Sequence, residues 1–180
     1  MAVETLKLKD FIRTIPDYPK PGIMFRDITP LLGNAWAISK ALDELSEPYT
    51  NQHIDKVLGT EARGWALGGA LAIRLAAGFV LVRKPDKLPC DTIEESYALE
   101  YGTDRLQMHV DALEPGDSVV VHDDLIATGG TLLATVKLAQ RAGAEVVGVS
   151  ALLDLPDLGG SDRLRQLGLV VHSLIEFSGH

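Results

Sequence analysis

One order of segments, used twice, limits most strongly what this chain can fold into. A short apolar run, Lys56 to Gly59, meets a polar turn at Glu61 to Gly64 and then an apolar helical stretch, Trp65 to Ala77. Phe79 to Val82 follows as a second apolar run. The same order recurs at Ser118 to Val121, Asp123 to Thr131 and Leu132 to Arg141, with Gly143 as the helix stop and Val146 to Leu153 as the returning run. Strands that alternate with helices form a parallel sheet with right-handed crossovers. The order therefore predicts an α/β chain, with a central parallel sheet flanked by helices. In such sheets ligands sit beyond the carboxyl ends of the strands.

At 180 residues, 46% hydrophobic and 23% charged, the chain fits a single domain, 1–180, long enough to bury a core. Leu6, Leu8, Phe11, Ile12 and Ile15 recur at near-helical spacing before Pro16, which predicts an opening helix ahead of a Pro-rich turn. Asn34 is placed to cap a second helix, with Trp36, Ile38, Leu42 and Leu45 on its apolar face and Pro48 at its end. Between the two repeated units, Arg83 to Asp117 breaks the pattern. Pro85, Pro89 and the polar run Glu94-Glu95-Ser96 precede alternating residues near Tyr97 to Tyr101 and Leu106 to Val110. This predicts a long loop with an antiparallel hairpin, and loops of that length often serve as lids.

The formal charge of -8, without a visible cluster of Lys and Arg, argues against a nucleic-acid surface, so an anionic ligand has to be held locally. Cys90 is the only cysteine, which leaves no disulfide framework and no Cys-rich metal pattern, as expected of a reducing cytoplasm. Met1-Ala2-Val3-Glu4 opens a mixed-charge start without the order of a signal peptide. The apolar stretch Ala66 to Val82 is interrupted by Arg74 and falls short of the roughly 20 residues of a spanning helix. The expectation is a cytoplasmic chain with no membrane partner.

The sharpest chemistry lies in Val119 to Thr131. A β-branched run delivers two adjacent carboxylates, Asp123 and Asp124, to the sheet's carboxyl edge, and Ala127-Thr128-Gly129-Gly130-Thr131 then opens a helix. Glycines let the backbone turn with its N–H groups inward, while threonine hydroxyls and the helix N-terminus add donors and partial positive charge. That combination cradles a phosphate monoester. Carboxylates accept hydrogen bonds, so Asp123 and Asp124 suit vicinal sugar hydroxyls. No Gly-Lys-Ser/Thr follows the turn, which excludes a Walker loop, and the spacing is not that of a dinucleotide fold.

This segment resembles the phosphoribosyl pyrophosphate (PRPP) motif of type I phosphoribosyltransferases. Nearly the whole chain resembles the adenine phosphoribosyltransferase family among them. The resemblance implies the type I fold with a lid hairpin at 85–110 and a small N-terminal base-binding hood at 1–34. It further implies transfer of ribose 5-phosphate from PRPP to adenine, giving AMP, in purine salvage. Mg2+ would be held mainly through PRPP, with no direct protein ligand. Ile15 to Pro30 is similar to the family's base-binding segment, and by that likeness Met24, Phe25 and Arg26 meet adenine, with Leu155 covering its other face. Thr60-Glu61-Ala62-Arg63-Gly64-Trp65 resembles the pyrophosphate loop. The likeness assigns the leaving group to Glu61, Ala62 and Arg63, joined by Arg83, Lys84 and Lys87.

Ser96 to Gly102 resembles the catalytic lid, which implies proton handling by Glu100 and a lid role for Tyr97 and Tyr101. Four positions depart from the family's usual pattern: Thr60, Trp65, Cys90 and His122. The family is usually homodimeric, with the dimer contact near Arg83. A phosphoribosyltransferase for xanthine or another purine, and a non-catalytic PRPP-sensing regulator, share the phosphate motif and stay open as alternatives.

Overall fold

A computed structural model of the chain describes residues 6–98 and 103–179. The first segments form a small layer at one end of the molecule. A 3-10 turn at Leu8–Phe11 leads into strand β1 (Arg13–Pro16), which pairs antiparallel with β2 (Met24–Asp27). The helix expected over Leu6 to Ile15 is absent. Leu8 and Ile12 are buried, as their spacing demanded, but one 3-10 turn is enough to place both. From Arg13 onward the backbone is satisfied by cross-strand pairing, with Ile15 opposite Phe25. A short helix α1 (Thr29–Leu32) and the longer α2 (Ala35–Ser46) follow. Asn34 caps α2, its Oδ1 accepting from the Ala37 N–H at 3.0 Å.

The first repeated unit is β3 (Lys56–Thr60), α3 (Gly64–Arg74) and β4 (Gly78–Val82). The interruption is an antiparallel hairpin, β5 (Thr92–Ala98) and β6 (Thr103–His109), in register from Thr92 opposite His109 to Ala98 opposite Thr103. The second unit is β7 (Ser118–Ile126), α4 (Gly130–Arg141) and β8 (Glu145–Asp154). Here β7 runs well past the apolar run that announced it. Asp123 pairs with Ala151 and Leu125 with Leu153, so the two carboxylates stand on the strand itself and not on a turn after it. A helix α5 (Gly160–Gln166) and a fifth parallel strand β9 (Val171–Glu176), both absent from the sequence expectation, complete the sheet beside β8.

The sheet order is β4-β3-β7-β8-β9, all parallel. Alternate residues of β7 feed opposite faces. Val120 packs with Leu31, Ala41 and Leu45 on the face covered by α2, and Val119 and Val121 pack with Leu132 and Leu138 of α4 on the other. From β3 the chain crosses to β4 on one side, and from β7 it crosses to β8 on the other. The carboxyl ends of β3 and β7 therefore flank the switch point, where diverging loops leave a crevice. Among the described residues, no helix is long and apolar enough to cross a membrane.

Candidate active site

Beyond β7 the chain turns through Ala127, Thr128 and Gly129 into α4. Gly129 sits in the left-handed region at φ +77, where a side chain is strained, and this kink aims the first N–H groups of α4 at one point. The turn is buttressed from behind by a residue that sequence reasoning missed. The Gly160 N–H donates to the Ala127 carbonyl at 3.1 Å, and a Cβ at Gly160 would collide with that carbonyl and stand 2.6 Å from the Gly129 nitrogen. Thr128 is exposed, whereas the Thr131 hydroxyl donates to Asp123 Oδ2 at 3.3 Å. The first turn of a 12-residue helix thus presents unpaired donors to an anion.

Asp123 and Asp124 are both buried. Asp123 Oδ1 accepts from the Asp124 N–H at 2.8 Å. Burial and then the neighbouring Asp124 charge push the Asp123 carboxyl well above its ordinary 3.8. Burial also raises Asp124, opposed by the Arg63 guanidinium, whose Nε lies 3.0 Å from Asp124 Oδ2. Gly64 makes this proximity possible, because a Cβ there would lie 2.8 Å from Asp123 Oδ1 and 3.1 Å from Asp123 Cα. His122, one residue earlier, is fully buried with Nδ1 3.3 Å from Ser150 Oγ; burial lowers it to about 4, so at neutral pH it is an uncharged part of the sheet.

Across the switch point, the β3–α3 loop carries Glu61, Ala62 and Arg63, with Ala62 and Arg63 exposed. Arg63 also lies over the Phe25 ring at 5.1 Å. The remaining cations are already engaged. Glu61 accepts from Arg83 Nε and from Lys87 Nζ, each at 2.9 Å, and Lys84 pairs with Asp104 at 3.1 Å. The Tyr97 hydroxyl donates to the same Asp104 at 3.1 Å, and burial raises its ionisation above the ordinary tyrosine value. Glu100 and Tyr101 lie outside the described residues.

Between β2 and the β8–α5 connection lies a cavity of about 280 Å³. Met24, Phe25, Arg26 and Leu155 all line it, as do Arg63 and Ala127. Ile23, Leu125 and Leu158 complete its largely apolar wall; the first two fall within segments singled out above without a role of their own, and no motif pointed to Leu158. Tyr18 sets its ring edge against Phe25 at 5.1 Å between centroids. The Arg26 side chain turns away to Thr14 Oγ1 at 2.6 Å and to the Phe177 face at 4.3 Å, so toward the cavity the strand offers mainly backbone and apolar surface. Such a slot suits a flat heteroaromatic ring.

Residues 31–166 match the model of the phosphoribosyl transferase domain. An adenine phosphoribosyltransferase of Rhizobium leguminosarum bv. trifolii is 57% identical over 176 residues, covering 98% of this chain and 97% of its own. This chain belongs to the adenine phosphoribosyltransferase family. The crystal structure of the Rhodothermus marinus adenine phosphoribosyltransferase superposes with a TM-score of 0.90 at 54% identity, covering 94% of this chain and 96% of that one. The Giardia lamblia enzyme, complexed with 9-deazaadenine, gives 0.90 at 35% identity over 96% of this chain and 99% of its own. Membership establishes the type I phosphoribosyltransferase fold and an enzyme of the glycosyltransferase class.

Two consequences follow for an adenine phosphoribosyltransferase built this way. A carboxyl raised by folding contributes stability that is complete below its unfolded value near 3.8 and is lost as pH rises through the folded value. Ligand-free Asp123→Asn is therefore expected to melt above the wild type at neutral pH, with the gap widening as pH is raised from 4. Thermal unfolding across that range checks this, and a wild type that gains on the variant with rising pH would contradict it. Gly160→Ala, by overpacking, is expected to cost about 1–3 kcal/mol in denaturant unfolding and to weaken binding of phosphate monoesters.

Proposed function

We propose that this chain transfers the 5-phosphoribosyl group of PRPP to a ring nitrogen of adenine, releasing pyrophosphate and forming AMP in cytoplasmic purine salvage. One observation carries the reading most of the way: Ala127 both opens the phosphate turn and forms part of the base cavity's wall. A ribose 5-phosphate held by that turn therefore has its base within the slot near Phe25 and Leu155. Arg63 supplies the third corner, since it touches the cavity, the Phe25 ring and the acidic pair from the opposite loop.

The roles follow from chemistry. Backbone donors from Ala127 to Thr131 take the 5-phosphate, and Asp123 and Asp124 accept from the ribose hydroxyls. The bond from the anomeric carbon to a pyrophosphate oxygen breaks and its electron pair leaves with pyrophosphate, while the nitrogen lone pair of adenine forms the new bond. The anomeric carbon passes through oxocarbenium character. The backbone of Glu61 to Arg63, with the Arg63, Lys84 and Lys87 side chains, stabilises the departing charge, and Arg83 supports them. Glu100, placed by family resemblance on the lid, accepts or shuttles the proton that the base loses. Closure of the 85–110 hairpin, with Tyr97 and Tyr101, excludes water that would hydrolyse the activated sugar.

Among the described residues, no cluster of three His, Cys, Asp or Glu side chains could cage a metal. The chemistry of the site instead fits Mg2+ carried mainly on the substrate's phosphates, the usual habit of this ion. It would neutralise developing negative charge on pyrophosphate. We also propose a homodimer: the edge strand β4 exposes Leu81, and Ile73 of α3 is 83% exposed. The hood, 1–34, closes over the base as part of the same 1–180 domain.

Incubation with adenine, PRPP and Mg2+ is expected to yield AMP, with adenine outcompeting hypoxanthine, guanine and xanthine. Glu100→Gln is expected to lower kcat by about 10²–10⁴-fold while AMP still binds. A preference for xanthine would overturn the assignment of the base, and inactivity toward every purine would overturn the enzyme.

A further inference from the structure

Glu61 stands out among the side chains at the switch point, because a carboxylate has no direct use in a site for pyrophosphate. Two anions repel, and the Glu61 side chain is only 6% exposed. What it does hold are cations from the segment after β4, the strand beside β3 on its own side of the crevice. Arg83 Nε and Lys87 Nζ reach its two oxygens, one each, at 2.9 Å. Burial pushes the carboxyl up, but hydrogen bonds from Lys87, Arg83 and the Lys84 backbone outweigh it and keep it below its ordinary value, hence ionised.

Arg83 is fixed on several sides. Besides Glu61, its Nη1 donates to the Lys87 carbonyl at 3.0 Å, and its guanidinium lies over the Trp65 ring at 5.0 Å. Its backbone exchanges hydrogen bonds with Gln107 of β6. So bound, Arg83 is a strut between the β3–α3 loop and the base of the hairpin. Lys87 differs, since it is about half exposed and an ammonium has three donors, of which Glu61 takes one.

We propose that Glu61 is a positioning residue for the leaving group, its buried carboxylate holding Arg83 and Lys87 in place so that pyrophosphate meets a Lys87 ammonium already set beside the Arg63 loop. The proposal rests on the reading of this site as a PRPP site. A lysine side chain loses much rotamer freedom when it is fixed, and a counter-ion that fixes it in advance removes that cost from ligand binding. The same bonds tie the start of the 85–110 segment to the β3–α3 loop.

The test compares Glu61→Gln, nearly isosteric but uncharged, with the wild type. Wild-type turnover of adenine and PRPP to AMP is the control. Titration calorimetry with magnesium pyrophosphate and, separately, with AMP reads the two halves of the site. The expected result is a loss of about tenfold to a hundredfold in pyrophosphate affinity and a similar rise in KM for PRPP, with AMP affinity and KM for adenine unchanged. In the Glu61→Gln, Lys87→Met double variant, the loss is expected to fall short of the product of the single losses, because the residues act as a unit.

Unchanged or tighter pyrophosphate binding in Glu61→Gln would overturn the proposal, tighter binding marking Glu61 as a competitor. A parallel loss of AMP binding would overturn it in favour of a general structural role. Fully multiplicative losses in the double variant would also overturn it. A wild type that makes no AMP would remove the functional reading itself, whereas an active wild type matched by Glu61→Gln in pyrophosphate affinity removes only the role of Glu61.

Discussion

Two adjacent carboxylates buried at the carboxyl edge of a parallel sheet are the constraint on which the rest of this site depends. Asp123 and Asp124 are brought there by the β-branched start of β7, and their burial carries a cost that each neighbour answers. Gly64 lets α3 begin against Asp123, Thr131 turns its hydroxyl to the same carboxylate, and Arg63 crosses from the opposite loop to Asp124. The strand that carries the acidic pair ends in the phosphate turn, and the arginine that balances it lies beside the base cavity. Burial holds both carboxyls above their ordinary value. Under the proposed function, a ribose that donates its hydroxyls to these oxygens would relieve the same cost.

The charge balance shows how an acidic chain can take up a polyanion. With a net charge of -8, the molecule as a whole does not attract a polyanion. Its cations at the crevice are also paired: Arg63 with Asp124, Arg83 and Lys87 with Glu61, and Lys84 with Asp104. Positive potential is instead local and oriented. Under the proposed function it would come from backbone N–H groups at the start of α4 and from side chains held by their counter-ions. Preset donors need little reorganisation when charge develops during reaction.

Much of this was legible in the sequence where structure is local. The strand–turn–helix order, the Asn34 cap, the helix stop at Gly143 and the hairpin after Pro89 each depend on residues close together in the chain. Legibility failed where distant partners decide. The spacing of Leu6 to Ile15 looked helical, but Arg13 to Pro16 found strand partners at Met24 to Asp27 and became β1. The strand at Val121 seemed to stop at a charged pair, yet β8 beside it extended β7 to Ile126. After Asp154, α5 is short and polar, while the apolar run Leu167 to Phe177 carries no repeat of the strand–turn–helix order and becomes β9 only beside β8. Gly160 carries no motif, and only folding brings it beneath Ala127 and Gly129. Glu61 read as part of the pyrophosphate loop, but its buried contacts reach residues more than twenty positions away.

The most direct test of how this site is assembled is a crystal structure of the protein with AMP and magnesium pyrophosphate bound. The expected result has the 5-phosphate on the backbone N–H groups from Thr128 to Thr131, the ribose hydroxyls on Asp123 and Asp124, and adenine between Phe25 and Leu155. Pyrophosphate would lie at Arg63 with Lys87 beside it. A base seated outside the Phe25 cavity, or a nucleotide phosphate bound at the Glu61 to Arg63 loop instead of the α4 turn, would contradict the assignment at its centre.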